Sequence, residues 1–109
     1  MQFVYKYVEN VPVISFKRDD GSLVGYDVNI FGEEVISILR EDSVKIALDL
    51  RNNPYLNSFG LGELINIRHF FIERGISCVL IVESKKIHKL LEMVGIEDLF
   101  ETVTSEDQI

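Results

Sequence analysis

Three features of the sequence predict an α/β domain with a mixed, mostly parallel β-sheet. Strand-like and helix-like segments alternate through the second half, the pattern that right-handed crossovers turn into parallel strands. The run "SCVLIV" (Ser77–Val82) is uninterrupted apolar sequence, as a strand covered on both faces should be. At the N-terminus, "FVYKYV" alternates in the manner of an antiparallel strand with one covered face. The 109 residues suffice for one domain, residues 1–109, and are too few for two.

The elements follow in order. Phe3–Val8 is the first strand; Glu9, Asn10 and Pro12 interrupt it, and Val13–Lys17 reads as the second. Asp20-Gly21 is a strong turn signal, and "LVGYDVNI" after it suggests a short third extended piece. From about Phe31 the period becomes helical. Phe31, Val35, Ile38 and Leu39 share a face, and Glu33 with Glu34 suits the positive end of the helix dipole. Ser43–Leu50 returns to strand, and a long helix covers about Phe59 to Arg74, stopped by Gly75. After Ser77–Val82, Ser84 is a helix cap, with Ile87, Leu90, Leu91 and Val94 on one face before Gly95. Leu99–Val103 is a last short strand, and "TSEDQI" reads as one further helical turn. The antiparallel element is thus N-terminal, and the helices pack on the sheet.

Composition narrows the function. Hydrophobic residues make 47% of the chain and charged residues 27%, an ordinary balance for a globular protein. A net charge of −7 argues against nucleic acid and against an anionic membrane surface as partners. No apolar run reaches membrane-spanning length and the N-terminus lacks signal-peptide features, so a cytoplasmic location is expected. The single cysteine, Cys78, excludes a disulfide within the chain. His69 and His88 lie on different helices, and no Cys or His has ligand spacing, so no metal and no cofactor is expected. Neither GxxxxGK[ST] nor GxGxxG occurs. Ser58 lacks the first glycine of a GxSxG elbow, so no catalytic residue is assigned and the chain is not expected to be an enzyme. Asp49 ends a strand as a phosphorylatable aspartate would, but Asp19 and Asp20 fall in a turn rather than beside it; Asp49 and Arg51 are expected to satisfy loop backbone groups.

The informative stretch is "LDLRNNPYLNSFGLGEL", Leu48 to Leu64. Gly60 and Gly62 stand where the long helix begins, although each glycine costs a helix about 1 kcal/mol relative to alanine. Asn57 or Ser58 caps that helix, and the same end of a helix accommodates an anion. A phosphate on Ser58 would add a charge of roughly −1.5 to −2 without unfolding the domain. Bare backbone at the two glycines would admit a partner closely. On a helical wheel, Leu61, Leu64, Ile65, Ile67, Phe71 and Ile72 occupy the arc expected to face the sheet. Phe59 and Phe70 fall opposite, among Glu63, Asn66 and Glu73, where they either form a contact surface or are covered by an irregular helix end or the C-terminal segment.

These residues resemble a known family. Asp49-Leu50 ending a strand, Tyr55-Leu56 in the loop, Asn57-Ser58-Phe59-Gly60-Leu61-Gly62 opening a helix, Arg74-Gly75, "LLEMVGIEDLF" and "TSEDQ" together are similar to the STAS domain, named for sulfate transporters and anti-sigma factor antagonists. The likeness covers about Val44 to Gln108 and is strongest to the free-standing bacterial anti-sigma factor antagonists. It implies a STAS-like fold and a role in transcription regulation through protein–protein interaction. The implied partner is an anti-sigma factor that is also a serine protein kinase and phosphorylates Ser58. The unmodified antagonist binds it and frees the sigma factor; the phosphorylated form does not. With the helical wheel, the expected contact surface is Asn57, Ser58, Phe59, Gly60, Gly62, Glu63, Asn66 and Phe70. Two positions depart from the family pattern: Asn57 replaces an aspartate, and Phe59 replaces a serine or threonine. They keep open a scaffold that binds without phosphorylation, or a sensor in which Asn52–Ser58 and the helix tip hold a nucleotide or other anion. Upstream, Gly25-Tyr26-Asp27 is the nearest match to the family's Gly-x-Leu-Asp, and "RDDGSLV" looks inserted.

Overall fold

The structure, a computed structural model, describes residues 2–17, 22–24, 27–40, 42–52 and 56–109, with the side chains of Ile96 and Glu97 excepted. Five strands form one sheet in the order β1-β2-β3-β4-β5: β1 (Phe3–Val8), β2 (Val11–Phe16), β3 (Lys45–Asp49), β4 (Ser77–Ile81) and β5 (Glu101–Val103). β1 and β2 are antiparallel, and every later pairing is parallel. The helices are α1 (Val28–Ile38), α2 (Ser58–Ile72) and α3 (Lys85–Met93), with short 3₁₀ turns at Ile96–Leu99 and Glu106–Gln108. The mixed, mostly parallel sheet anticipated from the sequence is therefore present.

The hairpin turns at Glu9 and Asn10, both with positive φ (49° and 71°), the geometry of a two-residue primed turn. β2 starts at Val11 and so includes Pro12, which sequence placed outside the strand. The missing N–H costs nothing there: Pro12 lies opposite Tyr7 at a pair that forms no bonds across the hairpin, and pairing with β3 starts only at Val13. The extended piece expected over "LVGYDVNI" is not formed by its described residues. Asp27 instead caps α1, its Oδ1 accepting from the Asn29 N–H at 2.6 Å, and the helix begins at Val28. Glu33 and Glu34 consequently fall beyond the first turn. The Asp20-Gly21 turn lies outside the described residues.

One face of the sheet carries Ile14, Phe16, Ile46, Leu48, Cys78 and Leu80 into the main core with Phe31, Val35, Leu64, Ile67, Phe71, Ile87 and Leu91 from the helices. Burial pushes the Cys78 thiol up to about 12. Val13, Ala47, Val79 and Ile81 face the other way and are packed by Val8, Val11, Val103 and Ile109. β4 is thus covered on both sides, as its apolar run requires. α2 ends in a Schellman motif: Ile76 N–H donates to Phe71 O at 2.9 Å and Gly75 N–H to Ile72 O at 3.0 Å, with Gly75 at φ 73° and Ile76 buried.

Candidate functional site

The site is built by the parallel crossover from β3 to α2. β3, the central strand, ends at Asp49, and α2 starts at Ser58 and packs on the main core. Asp49 is buried, and its Oδ1 accepts from the Arg51 backbone N–H at 3.0 Å and from Arg51 Nε at 2.9 Å. Asp49 thus satisfies a loop backbone group as expected, whereas the Arg51 side chain, expected to do the same, binds carboxylates. Arg51 Nη2 reaches Asp49 Oδ2 at 2.8 Å and Glu106 Oε1 at 2.6 Å, and Lys6 Nζ lies 2.6 Å from the same Glu106 oxygen. Burial raises the Asp49 carboxyl, but the hydrogen bonds and charge of Arg51 outweigh it, so the group is held below the ordinary carboxylate range. Glu106 is lowered by Lys6 and then by Arg51. No local sequence signal joins Lys6, Arg51 and Glu106; the fold alone brings them together.

Leu56 is buried, and Asn57 is the N-cap of α2 in an extended conformation, its Oδ1 accepting from the Gly60 N–H at 2.9 Å. Ser58 is therefore the first helical residue rather than the cap, and it is exposed. Phe59 is 74% exposed. Gly62 is exposed too, and a Cβ built there would meet nothing within 4 Å. Asn66 completes the outward-facing set. Gly60 belongs elsewhere: it is buried, its N–H is taken by the cap, and it is not part of the surface expected of it.

Phe70 needs the same correction. Only 4% of it is exposed; Gly32 of α1 lies against one part of its ring, the Arg74 guanidinium sits 3.6 Å from the ring centroid, and Phe71 meets it edge-on. Ile65 and Ile72, assigned to the sheet-facing arc, are 42% and 46% exposed. The buried arc of α2 is displaced by about 60° from the expected one, at about 100° per residue. α2 packs not only on the sheet but also sideways on α1, and a wheel that considers the sheet alone omits that neighbour. Glu63 lies on this second flank and is half-buried. Its two carboxylate oxygens accept from the Leu23 and Val24 backbone N–H groups at 2.8 and 2.9 Å, so it anchors the segment ahead of α1. Tyr55 lies outside the described residues. His69 is exposed on α2, 3.1 Å from Glu73. Among the described residues, no group of His, Cys, Asp and Glu could hold a metal, and no helix is long and apolar enough to cross a membrane.

This constellation, a parallel-sheet crossover ending in an exposed serine at a helix tip with bare backbone one turn on, belongs to an α/β domain with a mixed five-stranded sheet. The family model for the STAS domain matches residues 6–109, and the chain belongs to that family. No curated protein matches the chain significantly in sequence. Among solved structures, an NMR structure of the protein TM1081 superposes with a TM-score of 0.73 at 20% identity, covering 99% of this chain and 85% of that one. A crystal structure of the same protein from Thermotoga maritima, proposed there to be an anti-sigma factor antagonist, gives a TM-score of 0.71 at 21% identity, covering 97% and 89%. At that identity the likeness is one of fold.

Proposed function

We propose that this chain is a regulatory interaction module, an anti-sigma factor antagonist whose partner is a serine protein kinase and whose switch is phosphorylation of Ser58. The observation that carries the reading is the exposed Ser58 hydroxyl at the first position of α2, with Gly62 open on the same side of the helix. The helix tip suits a phosphate electrostatically, so modification leaves the fold intact. The same dianion in a closely packed interface must be desolvated, and beside acidic groups it also repels. The chain acts by binding, with no chemistry of its own. Intact mass of the protein purified from its own host, with and without phosphatase, tests this. One removable phosphate is expected, absent from Ser58→Ala, and Ser58→Asp should lose affinity for the kinase with little change in Tm. A phosphate confined to another residue, or normal binding by Ser58→Asp, refutes it.

The exposure of Phe59 favours a second reading, in which the domain holds its partner constitutively through that ring. Phe59→Ser then costs binding whether or not Ser58 is modified. Under the switch reading, phosphorylation remains decisive in that variant.

A further inference from the structure

We propose that the outer edge of β1 pairs with β1 of a second copy of this chain, antiparallel about a two-fold axis at Tyr5, to make one continuous sheet through both molecules. The inference is independent of Ser58 and starts from β1. β1 is a six-residue edge strand without proline. Its hairpin register fixes which backbone groups are available. The two-residue turn makes Val8 and Val11 a bonded pair, so bonded pairs recur at Lys6–Val13 and Val4–Ser15, in line with the Lys17 N–H donating to Gln2 O at 3.3 Å. The N–H and C=O groups of Phe3, Tyr5 and Tyr7 therefore point outward, away from β2.

Self-pairing must satisfy the sheet's faces. A two-fold axis perpendicular to the sheet keeps each side chain on its own face, so an odd residue must oppose an odd one and an even residue an even one. Centring on Lys6 would oppose two ammonium groups directly, which is destabilising. Centring on Val4 would carry Tyr7 past the start of the second strand. Centring on Tyr5 sets Phe3 against Tyr7 and lets all three outward residues exchange bonds, with Val4 opposite Lys6.

Charge fits this register. A lysine on an edge strand ordinarily keeps such strands apart. Here Glu106 lies 2.6 Å from the Lys6 ammonium and offsets its charge, and the residue facing Lys6 is the exposed, apolar Val4. On the helix side Phe3, Tyr5 and Tyr7 already form a row, with ring centroids 6.2 and 5.8 Å apart, and Tyr5 is 43% exposed. The axis would place the two Tyr5 rings together and bury what is left bare. α2 packs on α1 and β4, so each copy would keep its own Ser58 face.

Sedimentation equilibrium of the full chain at about 100 µM, where a dimer of micromolar Kd is largely formed, tests this. A mass twice 12.5 kDa is expected for the wild type, and the monomer mass for Val4→Lys, which sets new ammonium groups opposite Lys6 of the second copy. Tyr5→Cys should oxidise to a covalent dimer, because Cα atoms of such a pair stand about 5.5 Å apart, inside disulfide range. Val4→Cys should not cross-link to itself. A wild-type monomer at this concentration, a dimer unaffected by Val4→Lys, or a Tyr5→Cys protein that stays monomeric on oxidation overturns the proposal.

Discussion

Replacing Gly62 with alanine separates what the fold requires from what a partner requires. The residue lies inside α2, one turn from its start, at an exposed position where an added Cβ meets no atom within 4 Å. Glycine there forfeits about 0.5–1 kcal/mol relative to alanine, through the greater freedom of the unfolded chain. No steric term offsets that gain. Gly62→Ala should therefore stabilise the domain by about 0.5–1 kcal/mol. At about 4 °C per kcal/mol for a chain of this length, Tm rises by about 2–4 °C. Urea and thermal unfolding by circular dichroism measure the shift, and an unchanged m-value would show that the surface exposed on unfolding is the same in both proteins. If α2 receives a partner closely at this point, the same variant should bind that partner more weakly while being more stable. A destabilised Gly62→Ala would refute the reasoning, since the glycine would then serve the fold itself.

Gly32, in the middle of α1, should respond in the opposite sense. A Cβ at Gly32 would stand 2.2 Å from Phe70 Cε1, so Gly32→Ala should cost about 1–3 kcal/mol in denaturant unfolding; a double-mutant cycle with Phe70→Leu should show coupling, because the smaller side chain vacates that space. Removing the cap with Asn57→Ala should cost about 1 kcal/mol, whereas Asn57→Asp should keep it and gain a few tenths from the helix dipole at neutral pH. Arg51→Met should cost about 2–3 kcal/mol, chiefly by leaving the buried Asp49 carboxylate without its partner. Asp49 and Glu106 both have lowered folded pKa values, so they bind protons less readily folded than unfolded; their stabilisation is complete above the ordinary carboxylate range, about 4, and is lost as pH falls through the folded values. Acid titration of unfolding should show that loss in the wild type and a shallower slope in Arg51→Met.

The parallel crossovers were legible because each element carries its own period and punctuation. "SCVLIV" is apolar throughout because both faces of β4 are covered, and Gly75 and Gly95 both have positive φ where helices stop. The helix tip was legible for the same reason: Asn57 and Gly60 lie three residues apart and make the cap between them. What escaped was set by neighbours distant in sequence. Phe70 points to the flank that a wheel assigns to solvent, and only the approach of Gly32 on α1 turns that flank into an interior. A glycine in the middle of "VNIFGEEVISI" was the available signal that something large lies against α1. Glu63 had the composition of a surface residue, and its task depends on two N–H groups some forty positions earlier. Glu106 joins Lys6 and Arg51 only once β1 and the segment after β5 have both found the sheet.

Glu63 also governs what the chain tolerates upstream. Because its carboxylate grips the backbone at Leu23 and Val24, the entry to α1 is moored to α2 rather than to β2. Lengthening the chain ahead of that mooring should therefore be tolerated, since doubling a flexible tether costs only about 0.6 kcal/mol of closure entropy. An insertion there should leave the start of α2, and Ser58 with it, where they are.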